Sequence, residues 1–80
     1  MKRSDVKTID VIGCCYQAHN SKTNKRSIDL LQDLYPDYPV KILYCAMERD
    51  YDKGLLEYGV SLGTSWVTSA GFLILTDYTK

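Results

Sequence analysis

Apolar residues fall along this chain in short runs parted by polar or turn-forming stretches. The first run, Val6-Lys7-Thr8-Ile9-Asp10-Val11-Ile12, is rich in β-branched residues and stops at Gly13, a pattern that predicts a strand. Gln17 to Asn24 is polar, and Thr23 or Asn24 can cap a helix that follows. Ile28, Leu31 and Tyr35, with Leu30 and Leu34 beside them, recur at helical spacing. That helix must end before Tyr35-Pro36-Asp37-Tyr38-Pro39, because a residue ahead of proline avoids the helical region.

Val40-Lys41-Ile42-Leu43-Tyr44-Cys45 reads as a second strand. Glu48, Asp50 and Asp52 suit the first turn of a short helix carrying Leu55, Leu56 and Tyr58, which Gly59 can close. Thr64 to Thr68 and Phe72 to Thr76 flank Ser69-Ala70-Gly71 and predict a closing hairpin. The order expected is β-α-β-α-β-β in a single α/β domain over residues 1–80. Its strand-helix-strand crossover favours parallel pairing of right-handed sense, and the hairpin completes one mixed sheet.

Within this pattern Gly13-Cys14-Cys15-Tyr16-Gln17 resembles the glutaredoxin signature Gly-Cys-Pro-Tyr-Cys. Tyr58-Gly59-Val60 with Thr64 is similar to the helix end and hairpin entry of thioredoxins, Thr64 standing where that family has a cis-proline. The resemblance implies a thioredoxin-like core without its last helix and places Cys14 at the attacking position. Gln17 occupies the resolving cysteine's place, so only monothiol exchange, with glutathione as co-substrate, would be open to it.

Composition narrows the classes. An apolar fraction of 45% with 25% charged residues is that of an ordinary globular domain, and 80 residues make only one. No apolar run approaches the roughly 18 residues that span a bilayer, and no apolar segment follows the charged N-terminus as in a secretory signal. Three cysteines, two of them adjacent, fit a reduced cytosolic setting better than a disulfide framework. With one histidine and no Cys-x-x-Cys, neither a metal site nor a resident cofactor is expected. Net charge is zero, yet residues 1–26 hold six basic and two acidic side chains, and residues 27–80 four and eight.

Three constellations are candidates for function. Cys14 and Cys15 are the redox candidates; their bland alternative is two small hydrophobes packed inward. Lys22, Thr23, Lys25 and Arg26 form a basic loop leading into a helix, chemistry suited to a nucleotide or another phosphorylated small molecule. Tyr51 and Tyr58 with Asp50 and Asp52 form a tyrosine-rich acidic stretch suited to a protein partner, since tyrosine is enriched at interfaces. The acidic remainder argues against a long nucleic-acid duplex. The reading favoured is a small cytosolic protein that acts by binding another protein, as accessory or phage-type regulators do, without dithiol chemistry. Its alternatives are the monothiol redox protein and the phosphate binder.

Overall fold

The computed structural model describes residues 2–20 and 24–78, with only the backbone of Tyr78. Helix α1 runs Thr8–Asn20, α2 Ser27–Leu34, α3 Val40–Asp52 and α4 Ser69–Tyr78. Two strands, β1 (Leu56–Glu57) and β2 (Trp66–Val67), pair antiparallel with Leu56 opposite Val67 and Glu57 opposite Trp66. Single 3-10 turns lie at Arg3–Asp5 and Leu62–Thr64. The domain is therefore mostly helical, and the expected α/β mixed sheet of order β-α-β-α-β-β is not formed. The thioredoxin-like core goes with it.

The physical reason is side-chain period. Val11, Ile12, Cys14 and Cys15 are buried, and Ala18 continues the same face at helical spacing, so Val6–Ile12 is not a strand but leads into α1. Gly13 sits inside that helix rather than ending it. Val40–Cys45 is likewise the first half of α3, which turns Leu43, Ala46, Met47 and Asp50 inward at i, i+3, i+4 and i+7. β-branched and aromatic residues favour strands only weakly, and the gain from burying one face overrides that preference.

Only α2 keeps its expected place, and Asn24 stays outside it. Pro39 ends the α2–α3 connection and is the residue from which α3 starts. Glu48, Asp50 and Asp52 thus fall in the last turns of α3, not at the start of a separate helix.

The left-handed closing glycine is Gly54, with φ of 77°, rather than Gly59. Leu55 N–H donates to the Asp50 carbonyl at 3.0 Å and Gly54 N–H to that of Tyr51 at 2.9 Å, the two bonds of a Schellman turn. This turn sends the chain back along α3 into β1.

The predicted closing hairpin is not formed: Trp66–Val67 pairs instead with Leu56–Glu57, which was expected to be helical, and Phe72–Thr76 lies in α4. Thr68 supplies the reason. Its Oγ1 accepts from Gly71 N–H at 3.3 Å and donates to the Gly54 carbonyl at 2.6 Å, which caps α4 and ties it to the α3 turn. Ser69-Ala70-Gly71 opens the helix instead of turning between strands.

The core joins Val6, Val11, Ile12, Cys15, Ile28, Leu31, Leu43, Met47 and Leu56. Buried Ser27 donates to the Ser65 carbonyl at 2.7 Å and locks the start of α2 to the segment before β2.

Candidate functional site

Cys14 and Cys15 lie in the middle of α1, far from any helix N-terminus that could favour a thiolate. Cys14 is 5% exposed and Cys15 fully buried. Burial pushes both thiols up to about 12; the Asp10 and Asp33 charges add to the effect at Cys14, and the Ser27 hydroxyl opposes it at Cys15. A thiol kept protonated and covered is a poor nucleophile in the folded state. Iodoacetamide near neutral pH is therefore expected to leave both unmodified in the native protein and to label both in denaturing urea; native labelling of either contradicts the packing.

The shift also sets a pH dependence. Unfolded thiols ionise near the ordinary value of 9.0, folded ones only near 12, so the unfolded state loses these protons first. Stability is complete below about 9 and falls as pH rises from there to about 12. A urea midpoint that stays flat across that window, with Cys14→Ser or Cys15→Ser no flatter, would refute this.

Of the basic loop, Lys22 and Thr23 lie outside the described residues. Lys25 pairs with Asp33 at 2.5 Å, and both remain exposed. Arg26 precedes α2, where its Nε meets Asp29 Oδ2 at 3.2 Å and its N–H donates to the same oxygen at 3.0 Å. The Arg26 hydrogen bonds hold the Asp29 carboxyl below the usual range. Each of these cations faces a carboxylate of α2, which leaves little field for an anion.

Tyr51 and Tyr58 do come together. Their ring centroids are 5.0 Å apart with planes tilted by 55°, and each side chain is 40% exposed. Tyr51 closes α3, the Schellman turn reverses the chain, and Tyr58 leaves β1 beside it. Glu48, Asp52, Lys53 and Glu57, near them along the chain, are exposed. Asp50 departs from this group: it is 0% exposed and faces the core. There its Oδ2 meets Arg49 Nη2 at 2.9 Å, and its Oδ1 accepts from Thr8 Oγ1 at 3.0 Å. Arg49 reaches on to the Arg3 carbonyl at 2.7 Å. This cluster staples the N-terminal turn and α1 to α3.

A second surface was not foreseen. Tyr16 of α1 stacks on Phe72 of α4 at 5.6 Å, and the two line, with Leu75 and Thr76, an open apolar groove of about 310 Å³. One turn along α1, His19 meets Trp66 edge-on at 6.1 Å and contacts the Thr64 carbonyl at 2.9 Å through Nε2. Leu73 and Ile74 are exposed beside them. The run Phe72-Leu73-Ile74-Leu75 carried the signal, since four consecutive apolar residues in a helix cannot all face one core.

Among the described residues no three His, Cys, Asp or Glu side chains are grouped to hold a metal, and no helix is long and apolar enough to cross a membrane. These elements define a small helical domain with a β-hairpin and two exposed aromatic surfaces. Comparison with models of known families, with curated proteins and with solved structures returned no match.

Proposed function

We propose that this protein acts by binding another protein, with the Tyr51–Tyr58 pair as the anchor. The observation that carries the reading is that two tyrosines from different elements, seven positions apart, pack on each other at the surface. Such a pair is held before a partner arrives, so little side-chain freedom is lost on contact. Exposed Glu48, Asp52 and Glu57 outweigh the exposed Lys53 in the segment that carries the pair, which favours a basic face on the partner and speeds encounter. All three cysteines are free thiols, which supports action in the cytosol.

A second reading has one observation in its favour. α2 and α3 are joined by five residues and followed directly by the hairpin, the element order of helix-turn-helix proteins that read DNA with their second helix. Charge decides against it. The exposed positions of α3 offer Lys41 against Glu48 and Asp52, Arg49 is engaged by Asp50, and residues 56–67 include Glu57 but no Lys or Arg. A duplex-binding surface must neutralise several phosphates.

The test is site-specific photo-crosslinking from position 58 in the host, followed by affinity measurement with the partner so identified. Tyr51→Ala and Tyr58→Ala should each weaken that complex by about 30-fold or more, as anchor residues do, with the melting curve nearly unchanged. Unaltered affinity in both variants sinks the reading, and salt-sensitive binding to a DNA duplex would install the other.

A further inference from the structure

Two phenols in contact at a surface have a chemistry that neither has alone. The Tyr51 and Tyr58 side chains are each 40% exposed, so an oxidant can reach either ring. Their backbones are held on both sides. Tyr51 lies in the last turn of α3, and Gly54 at φ 77° returns the chain to buried Leu55 and Leu56 and to the pairing of β1 with β2. The folded chain thus sets the rings 5.0 Å apart between centroids, with 55° between their planes.

That arrangement is close to the one a covalent bond would impose. A carbon–carbon bond joining two phenol rings spaces their centroids about 4.3 Å apart, the length of two ring radii and the bond. The planes of such a pair are twisted, because the neighbouring hydroxyls crowd each other. Tyr51 and Tyr58 are already twisted and need to close by less than about 1 Å.

From this juxtaposition we infer that Tyr51 and Tyr58 form a modification site, at which a haem peroxidase with hydrogen peroxide joins them within one chain as dityrosine.

The step balances as follows. Each phenol gives up one electron and its hydroxyl proton to the oxidant and becomes a phenoxyl radical. The two unpaired electrons form one bond between ring carbons ortho to the oxygens. Those carbons release their protons and the oxygens regain protons, which restores both phenols. The net loss of two electrons and two protons reduces one hydrogen peroxide to two waters. Groups held side by side react at an effective concentration above that of any dissolved protein, so coupling within the chain outruns coupling between chains.

Other rings lack one or another part of this arrangement. Tyr35 and Tyr38 meet at 5.2 Å, but both are only partly exposed. The Tyr35 hydroxyl also donates to Asp10 and accepts from Lys7 N–H. Tyr16 touches Phe72, which has no hydroxyl to lose. The bond at 51 and 58 would close a ring across the α3 turn without a partner present, so the inference does not rest on the partner contact.

Peroxidase and limiting hydrogen peroxide, applied to the dilute full chain, test it. The product should be a monomer on a reducing denaturing gel, lighter by two hydrogens, with dityrosine fluorescence and with the peptides carrying positions 51 and 58 joined. Tyr51→Phe and Tyr58→Phe keep the ring contact and should melt as the wild type does, yet each should lower the yield by about 10-fold or more. Tyr38→Phe should not lower it. The linked chain should melt roughly 5–15 °C higher, because the bond restricts the unfolded state and leaves the folded one nearly unchanged. Links found only between chains, a yield indifferent to both variants at 51 and 58, or a linked chain that melts below the untreated one would each overturn the inference. The reaction is read on the isolated chain, so its failure and that of the partner contact are distinguishable.

Discussion

Gly71→Ala is expected to destabilise the protein by about 2 kcal/mol or more, although alanine is the better helix former by ~0.5–1 kcal/mol. Position 71 lies in the first turn of α4 where helix, hairpin and α3 turn converge. A Cβ there would sit 2.4 Å from the Leu55 carbonyl oxygen and 2.7 Å from Val67 Cγ1. The valine methyl can turn aside, but the carbonyl cannot, since Leu55 O already accepts Thr68 N–H at 3.1 Å. Helix and hairpin must therefore separate, and overpacking of this kind costs ~1–3 kcal/mol or more, which exceeds the propensity gain. For a domain of this size that is a fall in Tm of roughly 8–16 °C. Adding Val67→Ala should recover only the smaller part. A variant as stable as wild type would show that α4 does not lie as close to Leu55 as described.

Asp50→Ala should be the more damaging change. The carboxylate is fully buried and shared between Arg49 and Thr8, and the Arg49 side chain is itself only 17% exposed. Truncation leaves a half-buried guanidinium with the Arg3 carbonyl and Thr8 as its remaining partners. Breaking one side of such a pair costs ~3–5 kcal/mol, whereas replacing both partners by apolar residues is often neutral. Against a total stability of about 4–12 kcal/mol for 80 residues, the single variant should lose about a quarter of its margin or more, and all of it at the low end of that range. Arg49→Met with Asp50→Leu should regain most of the loss. Urea unfolding with an unchanged m-value gives the comparison. A loss under ~1 kcal/mol for Asp50→Ala would mean that the pair is dispensable.

Asp50 also marks where the sequence could have been read further. It lies seven residues after Leu43 and three after Met47, on the buried stripe of α3, yet as one of three alternating acids it reads as surface. Tyr51, one position on, falls outside that stripe and stays exposed beside Tyr58. α2 was legible because Ile28, Leu30, Leu31 and Leu34 complete two turns before a proline. Val6–Ile12 and Val40–Cys45 were not, because windows of seven and six residues are too short to separate a period of 2 from one of 3.6. Extending each past Gly13 and Cys45 brings in Cys14, Cys15 and Ala18, or Ala46 and Met47, and the helical repeat emerges. Phe72–Leu75 has no polar alternation, so neither period could be read there. The Tyr16–Phe72 groove depends on how α1 and α4 dock, which no local pattern encodes.

The junction at Gly71 has a consequence for motion. Gly71 lies directly against the Leu55 backbone there, with the Val67 side chain beside it, so α4 cannot shift far without moving the segment that follows the α3 turn. Thr68 N–H, which reaches the Leu55 carbonyl across this junction, should then exchange with solvent only when helix and hairpin part together. The missing methyl group of a single glycine thus sets how rarely that joint opens.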